Sequence, residues 1–306
     1  MKFGLIGDPI GHSLSPALFK AGYDGRYPYE LIETPDFEEA YQRFLEGYDG
    51  INVTAPFKEL AIRKADILSE ECRLIGATNL LVKTPEGIKA YNSDYLGVRL
   101  WLKQISRLAS LARNDRETTR NDRETTRNDR ETARNDRETS RNDQETTRND
   151  NHPSGPSQSD GEPACRLRTL VVGLGGAGKA AKAAAESLGM ETVLMNRTRY
   201  SDDIKPLSQF KEEFRKADII IYNLPIRIAE LDSLIEEDLC PGKPKHILEA
   251  NYRNPSFDKS LIQRMKELNP DVTYTEGRTW LLLQALTGYE IFTGEKPDLA
   301  KMTACL

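Results

Sequence analysis

Residues 168–198 read RTLVVGLGGAGKAAKAAAESLGMETVLMNRT, and their glycines stand where a phosphate-bearing ligand needs bare backbone. An apolar strand, Leu170–Val172, runs into the cluster, and an Ala-rich helix follows up to Gly189. Gly173 permits the tight turn, Gly175 and Gly176 let backbone approach a pyrophosphate, and Gly178 or Ala180 lets the helix close on the sheet. The helix N-terminus adds N–H groups and the positive end of its dipole. A second strand, Thr192–Met195, ends on Asn196, Arg197, Thr198 and Arg199. A site for NAD usually carries Asp or Glu here, bonded to the ribose 2′-OH. Guanidinium grips a 2′-phosphate that a carboxylate would repel, so these residues point to NADP(H).

A second stretch, GDPIGHSLSPALF (Gly7–Phe19), sets a His, two Ser and two Pro directly after the apolar run Phe3–Ile6. It reads either as a turn and helix cap or as a cradle for a ligand rich in hydroxyls or carboxylate.

Both stretches need elements to hold them. Phe37, Ala40, Tyr41, Phe44 and Leu45 fall on one helical face, with Thr34 placed to cap, Pro35 at the first position and Gly47 at the end. GINVTAP then reads as a strand ending on a loop, and FKELAIRKADIL as the next helix. Strand alternating with helix is the α/β signature.

Composition narrows the classes of function. At 306 residues the chain can bury two cores, and its net charge of −5 gives no reason to expect nucleic acid as a partner. No apolar run approaches the ~20 residues of a membrane span. The apolar start before Asp8 is too short for a signal peptide. Cys72, Cys165, Cys240 and Cys305 lack metal-finger or C-x-x-C spacing, so they read as reduced thiols in a cytoplasmic protein. With only His12, His152 and His246, no metal site is expected.

Residues 113–164 stand apart. Copies of RNDRETT repeat with a period of seven, followed by the linker NHPSGPSQSDGEP. A coiled coil needs apolar a and d positions, and Ala133 is the sole aliphatic side chain in the repeat. Such a composition predicts a disordered insertion.

With the insert removed, the chain resembles the shikimate dehydrogenase family throughout. The motifs that carry the resemblance are GDPIGHSLSP, NVTAPFK (Asn52–Lys58), IGATN (Ile75–Asn79), YNSDYLG (Tyr91–Gly97), GLGGAGKA with NRT, and EGRTWLLLQALTGYEIFTG near the end. The resemblance implies NADPH-dependent reduction of 3-dehydroshikimate to shikimate, on the route to chorismate and the aromatic amino acids. It implies Lys58 and Asp94 as the catalytic pair, with Ser13, Ser15, Thr54, Asn79, Tyr252 and Gln284 around the substrate. It also implies Gly173, Gly175, Gly176, Ala177 and Gly178 as the cofactor loop, with Asn196, Arg197, Thr198 and Arg199 as the 2′-phosphate clamp. Hydride addition to a ketone builds negative charge on oxygen, which the Lys58 ammonium can protonate or offset.

The expected architecture is an N-terminal α/β substrate domain, 1–94, completed by a C-terminal helix in 279–306. A crossing helix, 95–112, leads past the insert to a Rossmann-type, doubly wound parallel-sheet cofactor domain over 165–278. The expected partner is a small molecule, and the chain is expected to be a monomer or a homodimer.

Three departures from the family pattern stand out: Leu80 for the common Thr, Glu249 for Asp, and an extra residue between Tyr252 and Pro255. IIIYNLPIR leaves Tyr222, Asn223 and Pro225 as candidates on the nicotinamide side. The alternatives are an NAD-dependent quinate/shikimate dehydrogenase and a non-catalytic dinucleotide-sensing regulator.

Overall fold

The computed structural model describes residues 1–111 and 166–306. The expected heptapeptide insertion and linker, 113–164, lie outside the described residues. Residues 1–103 and 166–306 form one compact unit that holds two six-stranded sheets.

The first sheet contains β1 (Phe3–Gly7), β2 (Tyr29–Glu33), β3 (Gly50–Val53), β4 (Ile67–Leu68), β5 (Leu80–Thr84) and β6 (Gly87–Tyr91), in the order β2-β1-β3-β5-β6-β4. β1 pairs in parallel with β2 and β3, and β5 runs antiparallel to both β3 and β6. Every residue of β1 and β3 is buried, as expected for central strands covered on both faces. One face carries the helix Phe37–Gly47, which buries Phe37, Ala40, Tyr41 and Phe44.

The expected cap of that helix moves by two residues. Asp36, not Thr34, accepts from the Glu38 and Glu39 N–H groups at 2.8 and 3.3 Å. Thr34 instead accepts from Asp36 N–H at 3.2 Å. A carboxylate at the N-cap also suits the positive end of the helix dipole. The helix expected from FKELAIRKADIL is likewise shorter. It covers Lys58–Ala61, turns 3₁₀ over Ile62–Lys64, and gives way to β4.

The other face of the first sheet is covered from the far end of the chain. The helix Gly277–Thr293 sets Leu282, Ala285, Tyr289 and Phe292 against Phe3, Leu18, Phe19 and Leu80. Phe292 stacks on Phe3 with ring centroids 4.8 Å apart. Leu80 thus belongs to the core, which gives its departure from the family pattern a packing role.

The second sheet contains β7 (Arg168–Val172), β8 (Glu191–Met195), β9 (Ile204–Lys205), β10 (Ile219–Tyr222), β11 (Lys245–Glu249) and β12 (Val272–Thr275). Its order is β12-β11-β10-β7-β8-β9, parallel at every pairing. The order reverses at β7, so the crevice between the carboxyl ends of β7 and β10 is the topological switch point where ligands of doubly wound sheets bind. Glu213, fully buried, ties this sheet together by accepting from Arg168 of β7 at 2.7 Å and Lys205 of β9 at 2.6 Å.

Candidate active site

The carboxyl ends of β1, β3 and β7 open onto a cleft of about 240 Å3. Its walls include Ser13, Ser15, Thr54, Lys58, Asn79, Asp94, Ala177, Tyr252 and Gln284. Residues spread over more than 270 positions of sequence thus meet in one cavity, and all the expected catalytic and substrate residues are among them.

The stretch after β1 forms a turn and faces the cleft. Ser13 Oγ accepts from Ser15 N–H at 3.2 Å, a local turn bond, yet both hydroxyl side chains line the cleft. Tyr289 OH donates to the Ser15 carbonyl at 3.1 Å and so moors this loop to the C-terminal helix. After β3, Thr54 crosses close to β1; a Cβ on Gly7 would stand 2.3 Å from Thr54 Cγ2. Only glycine at position 7 lets these two loops meet.

Lys58 opens its short helix, and its Nζ lies 2.6 Å from Asp94 Oδ2. Asp94 sits in the first turn of a helix covering residues 93–111. Asn92 supplies the capping bond there, accepting from Tyr95 N–H at 3.0 Å. The Asp94 carboxylate therefore remains available for Lys58, while its backbone carbonyl accepts from Trp280 Nε1 at 3.1 Å. Both side chains are largely shielded, with 22% and 16% of their surface exposed. A charge-assisted hydrogen bond in such a partly dry site is stronger than one in water.

Two residues with no role expected from sequence support the pocket. Asn52 lines the cleft, accepts from Tyr29 OH at 2.8 Å and donates to the Asn79 carbonyl at 3.4 Å. Ser93, fully buried, bonds to both Asn79 and Gln284. Both residues lay inside motifs that resemble the family, and that neighbourhood was their only sequence signal.

Tyr252 lines the cleft from a loop pinned by Glu249. The buried Glu249 carboxylate accepts from Ser256 N–H at 2.5 Å, Phe257 N–H at 3.3 Å and Tyr274 OH at 2.7 Å. The longer Glu in place of Asp accordingly anchors the loop that carries the extra residue. Burial pushes the Tyr252 phenol up from its usual value, so it is a neutral group across the physiological range. The Arg253 guanidinium lies 5.6 Å from the Tyr252 ring centroid.

Beside the cleft, Gly175 caps the helix Gly176–Ser187 and Ala177 reaches the cavity wall. Gly173 has a φ of +89°, and a Cβ on Gly178 would lie 1.9 Å from the Gly173 carbonyl oxygen. The loop's own packing thus demands glycine at both positions. A Cβ on Gly175 would meet nothing within 4 Å, so that glycine leaves an open cradle over the helix N-terminus.

At the end of β8, Asn196 Oδ1 accepts from Leu174 N–H at 3.3 Å and its amide donates to the Thr198 carbonyl at 2.9 Å. Arg197 and Thr198 are exposed, while Arg199 Nε donates to the Ile204 carbonyl at 2.7 Å. At the switch point the buried Asn223 Oδ1 has no hydrogen-bond partner among the described residues. An open cradle, a helix N-terminus and an unpartnered acceptor together fit a dinucleotide. Tyr222 is not on that surface: it is fully buried in the sheet core and donates to the Ile226 carbonyl at 2.6 Å.

Among the described residues no group of His, Cys, Asp and Glu could hold a metal ion, and no helix is long and apolar enough to cross a membrane.

Residues 5–81 match the shikimate dehydrogenase substrate binding domain family. The chain is 39% identical over 103 residues to shikimate dehydrogenase (NADP(+)) of Thermotoga maritima, covering 32% of this chain and 39% of that protein. It is 40% identical over 112 residues to the Staphylococcus epidermidis protein of the same name, covering 34% and 41%.

Residues 5–81 belong to the shikimate dehydrogenase substrate binding domain family.

The aligned segments span about two fifths of the length of these curated relatives. Residues 132–248 match the NAD binding domain family of D-isomer specific 2-hydroxyacid dehydrogenases, a second dinucleotide-binding likeness. Over its whole length the chain shares the fold of the Mycobacterium tuberculosis shikimate dehydrogenase, with a TM-score of 0.65 at 23% identity and coverage of 99% and 97%. The Thermus thermophilus shikimate 5-dehydrogenase, solved with NADP(H) and shikimate, gives 0.65 at 21% identity and coverage of 100% and 98%. A quinate dehydrogenase of Corynebacterium glutamicum, solved with NAD, gives 0.69 at 17% identity and coverage of 100% and 98%.

Proposed function

We propose that this protein interconverts 3-dehydroshikimate and shikimate with NADP(H) as the redox partner, reduction of the ketone being its biosynthetic direction. The observation that carries this reading is the Lys58–Asp94 pair, 2.6 Å apart in a cleft otherwise walled by hydroxyls and carboxamides. Such walls suit a polyol carboxylate, because each donor or acceptor left unpaired by a poorer ligand costs binding.

NADPH, when bound, supplies the hydride. The Ser13 and Ser15 hydroxyls hold the carboxylate. Thr54, Asn79, Tyr252 and Gln284 surround the ring. The Lys58 ammonium faces the substrate oxygen, where it offsets the developing negative charge and has a proton to give. The Asp94 carboxylate fixes the Lys58 side chain and accepts a hydrogen bond from the reacting hydroxyl in the reverse direction. On the cofactor side, the Gly175 cradle receives the pyrophosphate and Arg197 the 2′-phosphate. The names of the curated relatives and the NADP(H) held by the Thermus thermophilus neighbour support the choice of cofactor.

The quinate dehydrogenase likeness keeps an NAD-dependent alternative in view. The lack of an acidic residue at Asn196–Arg199, directly at the end of β8, favours NADP. A non-catalytic sensor has no use for a Lys–Asp pair aimed into a cleft. Oxidation of shikimate and of quinate, each with NADP and with NAD, tests all three readings. Fastest turnover of shikimate with NADP is expected. Preference for quinate with NAD supports the second reading, and no turnover of either compound supports the sensor.

A further inference from the structure

Three side chains, Asn79, Ser93 and Gln284, form a short hydrogen-bonded chain at the back of the cleft. Asn79 and Gln284 line the cavity, whereas Ser93 is fully buried behind them and does not. The order of donors along this chain follows from one group that has no choice. A backbone N–H can only donate, and Ser93 N–H donates to Asn79 Oδ1 at 2.7 Å. That bond fixes the Asn79 carboxamide with its NH2 toward the Ser93 hydroxyl, to which it donates at 3.0 Å.

A hydroxyl has one proton to give. Ser93 Oγ has Gln284 Oε1 at 2.9 Å, whereas Asn79 Oδ1 is farther, at 3.3 Å, and already holds the Ser93 N–H. The proton therefore goes to Gln284. Reversing the Gln284 carboxamide would place its NH2 against Ser93 Oγ and leave the Ser93 proton with only the longer contact.

Close packing holds the chain together. A Cβ on Gly97 would stand 2.6 Å from Gln284 N, and one on Gly288 would stand 3.2 Å from Ser93 Cβ. Glycine at both points lets the two helices approach until the Ser93 and Gln284 side chains meet.

We propose that Ser93 is a positioning residue that sets the polarity of Gln284, so that Gln284 offers N–H donors, and no acceptor, to the ligand in the cleft. The ligand group facing Gln284 must then accept: a carbonyl oxygen or a hydroxyl oxygen qualifies, and an ammonium does not. The identity of that ligand as shikimate rests on the function proposed above. The polarity itself does not.

The test uses the full chain carrying Ser93→Ala, Ser93→Thr, Gln284→Ala and the Ser93→Ala/Gln284→Ala double substitution, with shikimate and NADP as substrates. Coupled groups lose their interaction together, so Ser93→Ala is expected to lower kcat/KM for shikimate by about tenfold or more in the native background. Its cost should fall to about threefold or less when Gln284 is already Ala, since only the Asn79 contact remains to be lost. The KM for NADP and the melting temperature should stay near the native values, and Ser93→Thr should restore most of the loss. Full multiplicative costs in the double variant, or a Ser93→Ala enzyme as active as the native one, overturn the proposal.

A second readout needs no turnover. The side-chain 15N–1H pair of Gln284, identified by its disappearance in Gln284→Ala, should shift in Ser93→Ala and return in Ser93→Thr. If shikimate is not turned over but this signal depends on the hydroxyl, the proposed substrate falls and the positioning role stands. If the signal ignores Ser93, the positioning role falls whatever the activity.

Discussion

Lys58 Cδ lies 3.7 Å from where a Cβ on Gly176 would stand. The side chain that binds Asp94 therefore lies opposite the first residue of the helix Gly176–Ser187, a methyl group's width away. The loop after one sheet's strand contributes the lysine and the helix after the other's contributes Ala177, and both line a single cavity. Four consequences can be measured.

Lys58→Ala should reduce turnover of shikimate with NADP by ~10²–10⁴-fold, the range for losing a proton donor, with a much smaller change in the KM for shikimate. The ammonium matters most once charge has built up on oxygen, so its loss falls on the transition state. Asp94→Asn keeps the shape and removes the charge. Because the two act as one unit at 2.6 Å, the double variant should be scarcely worse than either single one. Turnover within about threefold of native for Lys58→Ala would remove it from the mechanism.

Arg197 is exposed after β8, where no carboxylate stands to bind a ribose 2′-OH. Arg197→Ala should raise the KM for NADP by about tenfold or more, as expected for losing a charge-assisted bond to phosphate, while barely changing that for NAD. Equal weakening of both cofactors would make the residue structural.

Gly175 and Gly178 separate ligand space from packing. A Cβ at Gly178 collides with the Gly173 carbonyl, so Gly178→Ala should destabilise the fold by about 1–3 kcal/mol in chemical denaturation. A Cβ at Gly175 meets nothing within 4 Å, so Gly175→Ala should leave stability unchanged and weaken NADP binding, read by calorimetry. Native affinity in Gly175→Ala would sink the cradle assignment.

Glu213 tests the second sheet. Burial pushes its carboxyl up, but hydrogen bonds and charges from Lys205 and Arg168 outweigh burial and hold it below the ordinary value of 4.5. A carboxylate with a lowered value contributes stability above the unfolded range, and that contribution is lost as pH falls through the folded value. Glu213→Gln should cost about 2 kcal/mol near neutral pH, less than for a fully buried pair because Arg168 and Lys205 reach solvent. The gap between variant and native protein should narrow in acid. A gap that is constant from pH 7 to pH 3 would show that the ion pairs contribute nothing.

Local signals in the sequence were enough for the strand, glycine loop and helix over 168–187, because the three are contiguous and each glycine acts within a few residues. Helix faces were legible for the same reason, as with Phe37, Ala40, Tyr41 and Phe44. Boundaries were less so: Thr34 and Asp36 are both good caps, and only the backbone conformation at Asp36 (φ −95°, ψ 111°) decides between them. The helix expected through Leu68 failed because Ile67 and Leu68 pair with Lys89 and Ala90, and a partner strand overrides local periodicity.

By itself, the sequence determined which residue types are present for the chemistry: a lysine and an aspartate, hydroxyl and amide side chains, bare glycines, and arginines just after a strand that ends on no acid. Residue type and local spacing are written in the chain directly. Only the tertiary structure decided that Lys58 meets Asp94, that Asn52 and Ser93 support the pocket, that Tyr222 is core, and that Gln284 faces Ser93 from 191 positions away. Those outcomes depend on how closely helices and strands pack, down to the missing Cβ atoms of Gly97 and Gly288. Packing distance is a property of two surfaces in contact, and no single stretch of chain contains both.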